Sequence, residues 1–259
     1  MKSASEILTT QTRQQYDQRQ QQHFARLTNL IRNAGYNLQD VLEHFPAFIQ
    51  RRSLPRLLAH YELFKKIRDL PGSIAELGVY RGSGFFTWAN LLETFCTGDR
   101  TRKVYGFDHF QGLREHDHRH DGDLNPWLDN VLGDLTSEKA IMEELVTLHN
   151  DDNLLPGVER CQLIEGDICK SVPEFVKQYP GLRLSLLYFD IGLYKPTFTG
   201  LKYLYPLVVN GGIVVFNGFG MSPWEGETKA VETYFKHHLP IMHKFDFSAI
   251  PHGYFIKQE

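Results

Sequence analysis

Ser73–Gly84 reads SIAELGVYRGSG, an apolar run that breaks into three closely spaced glycines, and 24 residues beyond the last of them Asp108 ends the run KVYGFD. A chain with this pair is bound to place a buried strand, a sharp turn and a helix in succession, with a carboxylate at the end of the next strand. That arrangement suits a nucleotide-like ligand, because glycines let the backbone come close and an acidic side chain can hold ribose hydroxyls. Gly78, Gly82 and Gly84 form G-x-x-x-G-x-G, which differs from the dinucleotide fingerprint G-x-G-x-x-G, and no Lys-Ser/Thr follows to grip phosphate. Glu76, just before the turn, suits a ligand carrying an ammonium group, such as the methionine part of S-adenosylmethionine, better than an anionic pyrophosphate. The competing reading is an ordinary strand-to-helix turn with glycines for packing, against which Asp108 is independent support.

From this turn onward the pattern alternates. Strands are expected at 73–79, 103–107, 161–165, 183–189 and 212–216, and helices at 83–96, 135–149, 171–178, 195–207 and 226–238. Alternation of this kind makes a parallel sheet with helices on both faces. The segments 160–164 and 184–189 are mostly apolar rather than strictly alternating, as strands covered on both faces should be. At the end of the chain, 244–250 and 254–257 are separated only by Pro251-His252-Gly253, too short for a crossover, so an antiparallel pair is expected there. Between Phe24 and Leu70, apolar residues recur at helical spacing, and Pro71-Gly72 ends that stretch. The expected organisation is an N-terminal helical extension, 1–70, followed by one cofactor-binding domain, 71–259. Residues 1–24 are rich in Gln and Arg and read as a solvated helix, a frayed arm or a contact segment for another subunit.

The formal net charge is only −3, which disfavours nucleic acid as a partner. Cys96, Cys161 and Cys169 are odd in number and lack C-x-x-C spacing, which argues against a disulfide framework or structural zinc and for a reducing cytoplasm. The N-terminus has no apolar signal-peptide core, and no stretch approaches the ~18 apolar residues of a membrane span. A soluble cytoplasmic protein without membrane contact is expected.

RLLAHYELFKKIRDLPGSIAELGVYRGSG, YGFDHFQGL, YFDIGLYKPT, NGGIVVFNGF and PWEGETKAVETYF occur in this order and together resemble the macrocin O-methyltransferases (the TylF, MycF and NovP-like family) over residues 45–259. The resemblance implies a Rossmann-like class I methyltransferase fold, an α/β sheet mostly parallel with an antiparallel C-terminal strand. It also implies S-adenosylmethionine as methyl donor, a hydroxyl of a small molecule such as a sugar or glycosylated natural product as acceptor, and a homodimer or higher homo-oligomer. Carried over by position, Glu76, Gly78, Tyr80, Gly82, Ser83 and Gly84 would line the methionine side of the cofactor. Asp108 would bind the ribose with His109 beside it, and Gly166, Asp167 and Ile168 would lie near the adenine.

Metal-using members of the family carry acids within D-x-D-x-Y-x-P-T after the fourth strand and an Asp-Asp pair after the fifth. Here the first segment is Asp190-Ile191-Gly192-Leu193-Tyr194-Lys195-Pro196-Thr197 and the pair has become Asn217-Gly218. Magnesium needs hard oxygens, usually with one or two carboxylates, so Mg²⁺ is not expected, and Asp190 with Asn217 would make a weak site at best. Restoring Gly192→Asp, Asn217→Asp and Gly218→Asp would recreate Mg²⁺ binding if the family's backbone geometry persists. Asp190 is then the first choice of general base and the last of the cofactor-lining residues. His109 is the reserve base, with an unperturbed pKa of about 6.5.

The segment 113–135 is long for an α/β connection and is expected to act as a lid or acceptor loop. His116, His118 and His120 alternate there with Asp117, Asp121 and Asp123, a pattern that more often means solvated side chains than a metal site. Trp127, Tyr194 and Trp224 are the expected acceptor contacts, since aromatic faces stack on sugar rings. Two other readings stay open: a relative that binds cofactor without catalysis, and methyl transfer to a nitrogen or phosphate-like oxygen that needs no metal.

Overall fold

The computed structural model describes residues 10–51, 53–114, 116–124, 136–236 and 238–258. The chain divides into two units, Met1–Leu54 and Pro55–Glu259. The first contains α1 (Thr10–Ala34), α2 (Leu38–Glu43) and the single turn α3 (Phe45–Phe48). Helix α2 starts at a capping box, in which Asn37 accepts from the Asp40 amide and Asp40 accepts from the Asn37 amide.

The second unit begins in α4 (Leu54–Ile67), which buries Ala59, His60, Leu63, Phe64 and Ile67, the spacing of one helical face. There follow β1 (Ser73–Leu77), α5 (Ser83–Phe95), β2 (Val104–Asp108), α6 (Thr136–Asp151), β3 (Cys161–Glu165), α7 (Ile168–Gln178) and β4 (Leu184–Phe189). Helix α8 (Tyr194–Tyr203), a 3₁₀ turn at Tyr205–Leu207, β5 (Val208–Phe216), α9 (Gly226–Phe235) and β6 (Gly253–Ile256) complete it. The sheet order is β3-β2-β1-β4-β5-β6, with β6 antiparallel to β5 and the other pairs parallel.

Every residue of β1 and β4 is buried. Ile74, Leu186 and Tyr188 pack with α4 and α5 on one face, whereas Ala75, Leu187 and Phe189 pack with Val172, Phe175 and Leu201 of α7 and α8 on the other. This two-sided burial explains why these strands read as continuous apolar runs. Register then sets the site: Leu77 pairs with Phe107 and with Phe189, and Phe189 pairs with Phe216. The residues that follow, Gly78, Asp108, Asp190 and Asn217, therefore leave the sheet along one edge.

Three local expectations change. Helix α8 stops at Tyr203 and a 3₁₀ turn takes over, since Pro206 has no amide to continue the ladder. Helix α7 starts at Ile168, three residues early, because Asp167 accepts the Cys169 amide and caps it. Residues 244–250 form no strand. Only His243 bridges to Tyr254, and Phe245 stacks on the Tyr254 ring, so this segment is held by side-chain packing while β6 pairs with β5. Among the described residues no helix is long and apolar enough to cross a membrane, and Cys96, Cys161 and Cys169 form no disulfide.

Candidate active site at the strand ends

A cavity of about 300 Å³ opens at this edge, at the lower end of the range for small-molecule sites. Its wall brings together Gly78, Tyr80, Asp108 and His109 from the first two strand ends, Gly166, Asp167 and Ile168 after β3, and Asp190 after β4. Leu193, Lys195 and Pro196 at the start of α8 line it too. Glu76, Gly82, Ser83 and Gly84, expected to line the cofactor, are not in the wall. Gly82 caps α5 at φ 77°, Ser83 opens that helix, and Gly84 leaves room for Glu76, whose carboxylate oxygens lie 2.7 Å from where a Cβ would stand.

Gly78 turns the chain at φ 89°, and a Cβ there would run into the Asp190 carbonyl. The glycine thus lets the ends of β1 and β4 close on one another. Asp108 holds the turn in shape: Oδ2 accepts from the Val79 and Tyr80 amides at 2.8 and 2.9 Å, and Oδ1 from the Phe110 amide at 2.8 Å. His109 Nδ1 accepts from the Gln111 amide at 3.0 Å, so in the neutral ring the proton sits on Nε2.

Glu76 lies beneath the turn, 1% exposed. Trp88 Nε1 donates to Oε2 at 2.8 Å, while Oε1 is buried without a partner. Burial, then the nearby Asp190 charge, pushes its carboxyl up to about 8. A buried carboxyl of this kind fits a ligand that brings positive charge, such as the ammonium group of S-adenosylmethionine, which would favour its ionised form. His60 stacks between Trp88 and Tyr188 and donates Nδ1–H to the Arg56 carbonyl at 2.7 Å, leaving Nε2 buried and unpaired. Burial and the Arg56 charge lower its pKa to about 3.

These shifts give a pH dependence. A buried His60 contributes stability that is complete above its unfolded value of 6.5 and is lost as pH falls toward 3. Glu76, and Glu227 with a value raised by burial to about 7, contribute stability that is complete below 4.5 and is lost as pH rises through 7 and 8. Only the carboxyl contribution varies above pH 6.5, so the melting temperature should fall between 6.5 and 8. A melting profile that is flat there in wild type, or as steep in Glu76→Gln, would contradict this assignment.

Asp190 joins the β4 and β5 ends to α4. Arg56 Nη2 donates to Oδ2 at 2.6 Å, and Asn217 Nδ2 donates to Oδ1 at 2.6 Å. Asn217 in turn accepts from the Tyr188 hydroxyl at 3.2 Å, and its carbonyl accepts from His252 Nδ1 at 2.7 Å. The Arg56 guanidinium is held cationic by Asp190, against the effect of burial.

The residues present do not fit the family's divalent metal. Gly192 has φ 73°, and a Cβ there would lie 2.5 Å from the Trp224 ring. Glu227, wholly buried, fills the space between the two strand ends: Oε1 accepts from the Gly192 and Ile191 amides at 2.9 and 3.3 Å, and Oε2 from the Gly218 amide at 2.7 Å. Among the described residues no group of three or more His, Cys, Asp or Glu side chains is placed to hold a metal ion. The triple change Gly192→Asp, Asn217→Asp, Gly218→Asp should therefore lose at least about 3 kcal/mol of stability rather than regain Mg²⁺ binding, from left-handed strain and overpacking. Urea unfolding and Mg²⁺ calorimetry on that variant check it.

The described part of the long loop is tied to α8 by buried Asp121. Oδ1 accepts from the Tyr194 amide at 2.6 Å and Oδ2 from the Asp117 amide at 2.7 Å. The Tyr194 ring stacks on His120 at 4.3 Å, outside the cavity wall, and Trp224 covers Gly192. Trp127 lies outside the described residues. Asp121, expected among the solvated side chains of the loop, is instead buried on the Tyr194 amide; sequence reasoning missed Arg56 and Glu227, which reach the strand ends from elements distant in sequence, and of the two only Glu227 carried a signal, as an acid opening the helix after β5.

A family model described as Macrocin-O-methyltransferase (TylF) matches residues 3–247. The chain belongs to the macrocin-O-methyltransferase family. Within this family it is 27% identical over 161 residues to the mycinamicin III 3''-O-methyltransferase of Micromonospora griseorubida, covering 59% of this chain and 58% of that one. It is 30% identical over 158 residues to the demethyldecarbamoylnovobiocin O-methyltransferase of Streptomyces niveus, covering 60% and 55%. The matches span somewhat over half the length of these curated relatives. Its structure is similar to that of the calicheamicin methyltransferase CalS11, described as a TDP-rhamnose 3'-O-methyltransferase, with a TM-score of 0.81, 25% identity and 91% of each chain covered. The O-methyltransferase NovP shares the macrocin-family fold at a TM-score of 0.59 and 21% identity, over 79% of this chain and 80% of that one.

Proposed function

We propose that this protein transfers the methyl group of S-adenosylmethionine to a hydroxyl of a small molecule, a sugar or a glycosylated natural product. The observation that carries the proposal is the shared wall of the cavity, where the glycine turn, Asp108 and Gly166–Ile168 meet the Asp190 carboxylate. The named relatives are described as methyltransferases of mycinamicin III, demethyldecarbamoylnovobiocin and TDP-rhamnose, and this supports the acceptor class.

S-adenosylmethionine supplies, when bound, a methyl group activated by a sulfonium. The chain's own residues do the rest. Asp108 keeps the glycine turn open to the ligand and retains lone pairs for ribose hydroxyls. Gly166 admits the adenine, Asp167 accepts from its amino group, and Ile168 gives it an apolar wall. Glu76 balances the amino group from below. Asp190 orients the acceptor hydroxyl and accepts its proton as the oxygen becomes acidic during methyl transfer. His109 is the weaker candidate for that task, since Nδ1 is engaged and Nε2 carries the proton.

Calorimetric titration with S-adenosylhomocysteine tests the first requirement. Wild type should bind, and Asp108→Ala should bind at least about tenfold more weakly, having lost a charge-assisted partner and the clamp on the turn. No binding by wild type at millimolar concentration would remove the proposal. Binding without methyl transfer across nucleotide-sugars and glycosides would favour a subunit that holds the cofactor without catalysis.

A further inference from the structure

Resting on the methyltransferase reading, we infer that the Arg56 guanidinium, seated on the cavity-wall carboxylate Asp190, is the resident cation of the acceptor subsite and does the work that the resemblance assigns to a divalent ion in metal-using relatives. A metal at this position would need the Asp190 oxygens and two further acids. Both Asp190 oxygens instead accept N–H donors at 2.6 Å, from Arg56 and Asn217. The other two positions are glycines, one covered by Trp224, both with amides turned onto Glu227. The positive charge seated on the Asp190 carboxylate thus comes from α4. It is permanent, because a guanidinium does not lose its proton in the pH range of proteins.

Arg56 also has donor capacity to spare. Its Nη2 rests on Asp190, Nε is sealed off, and 29% of the side chain is exposed. A planar fork of N–H groups beside a carboxylate matches an ionising hydroxyl: the oxygen takes a hydrogen bond from the guanidinium while its proton goes to Asp190. The O–H bond breaks toward Asp190, the O–CH₃ bond forms, and the CH₃–S bond breaks with its electron pair left on sulfur as a neutral thioether. Arg56 steadies the charge that grows on the oxygen, as a preorganised donor should. No oxidant, reductant or second metal enters the balance.

The test uses the full chain saturated with S-adenosylhomocysteine and Mn²⁺ as the probe, read by electron paramagnetic resonance. Wild type should leave the free Mn²⁺ signal undiminished up to about 1 mM, whereas Arg56→Glu, which sets a second carboxylate beside Asp190, should bind the ion. In methyl-transfer assays, EDTA should change wild-type turnover by less than about twofold, and Arg56→Ala should lower kcat by about 10²-fold or more. Affinity of Arg56→Ala for S-adenosylhomocysteine should stay within about threefold, added guanidinium should restore part of the rate, and Arg56→Lys should fall between the two. Mn²⁺ bound by wild type and released in Asp190→Asn would overturn the inference, as would turnover abolished by EDTA or an Arg56→Ala protein at full rate. These results leave cofactor binding intact, so they are distinct from a wild type that fails to bind S-adenosylhomocysteine, which would remove the methyltransferase reading itself.

Discussion

Asp190→Asn should lower kcat for methyl transfer by about 10²–10⁴-fold, the range for loss of a positioned general base, with S-adenosylhomocysteine affinity nearly unchanged. The carboxylate lies at the end of β4, in the cavity wall, and is fixed from two sides by Arg56 and Asn217. Both of those partners are donors. An asparagine keeps one acceptor oxygen but turns an amide nitrogen toward a donor, so the variant loses its base and also sets two N–H groups against each other. Thermal unfolding beside the kinetics separates the two effects: a chemical role appears as a fall in kcat at temperatures where the variant is fully folded. Retention of wild-type turnover would hand the proton to another group and sink the assignment of Asp190.

The largest expected loss of stability is at Glu227. Its carboxylate is wholly buried and satisfies three backbone amides from the ends of β4 and β5. Truncation to alanine leaves those amides facing a void, and buried donors without partners lose about 1–3 kcal/mol each. The Ile191 contact is long at 3.3 Å and counts for less. Glu227→Ala should therefore destabilise by about 3–6 kcal/mol, a large part of the total for a typical domain. Glu227→Gln keeps one acceptor and should lose about half as much, which leaves it folded and measurable by urea unfolding. A loss under about 1 kcal/mol in Glu227→Gln would mean that water or a shifted backbone satisfies the amides instead.

The two predictions rest on residues of very different legibility. Asp190 was readable because YFDIGLYKPT resembles the family's D-x-D-x-Y-x-P-T and keeps its first acid, at the end of an apolar run that reads as a buried strand. Gly78 and Asp108 were readable from the glycine turn and the acid ending the next strand, and Gly166–Ile168 from the resemblance; all of them line the cavity. Gly192 and Gly218 were readable as departures from a familial pattern, but not their reason, which is the Trp224 ring on one and the Glu227 carboxylate between both. Arg56 and Glu227 are 134 and 37 residues from Asp190 and come to it only through the packing of α4 and α9 on the sheet. Residues 244–250 were expected to pair with 254–257 because only Pro251-His252-Gly253 separates them; instead the Phe245 ring packs against Phe247 and stacks on Tyr254, and the segment stays out of the ladder.

The strand order has one more implication. β1 sits between β2 and β4, so the chain builds outward in one direction through β3 and then crosses back to build in the other. The residues proposed to hold the donor molecule, Gly78 to Ile168, are thus encoded in one continuous stretch, and Asp190, Asn217 and Glu227 in the next. The link between them, residues 179–183, is a natural seam. Exchange of the second stretch alone would recast the Asp190 side of the site while Arg56 of α4, encoded before both stretches, keeps its cation there, which gives a single ancestral gene a short route to enzymes that share a methyl donor and differ in what they mark.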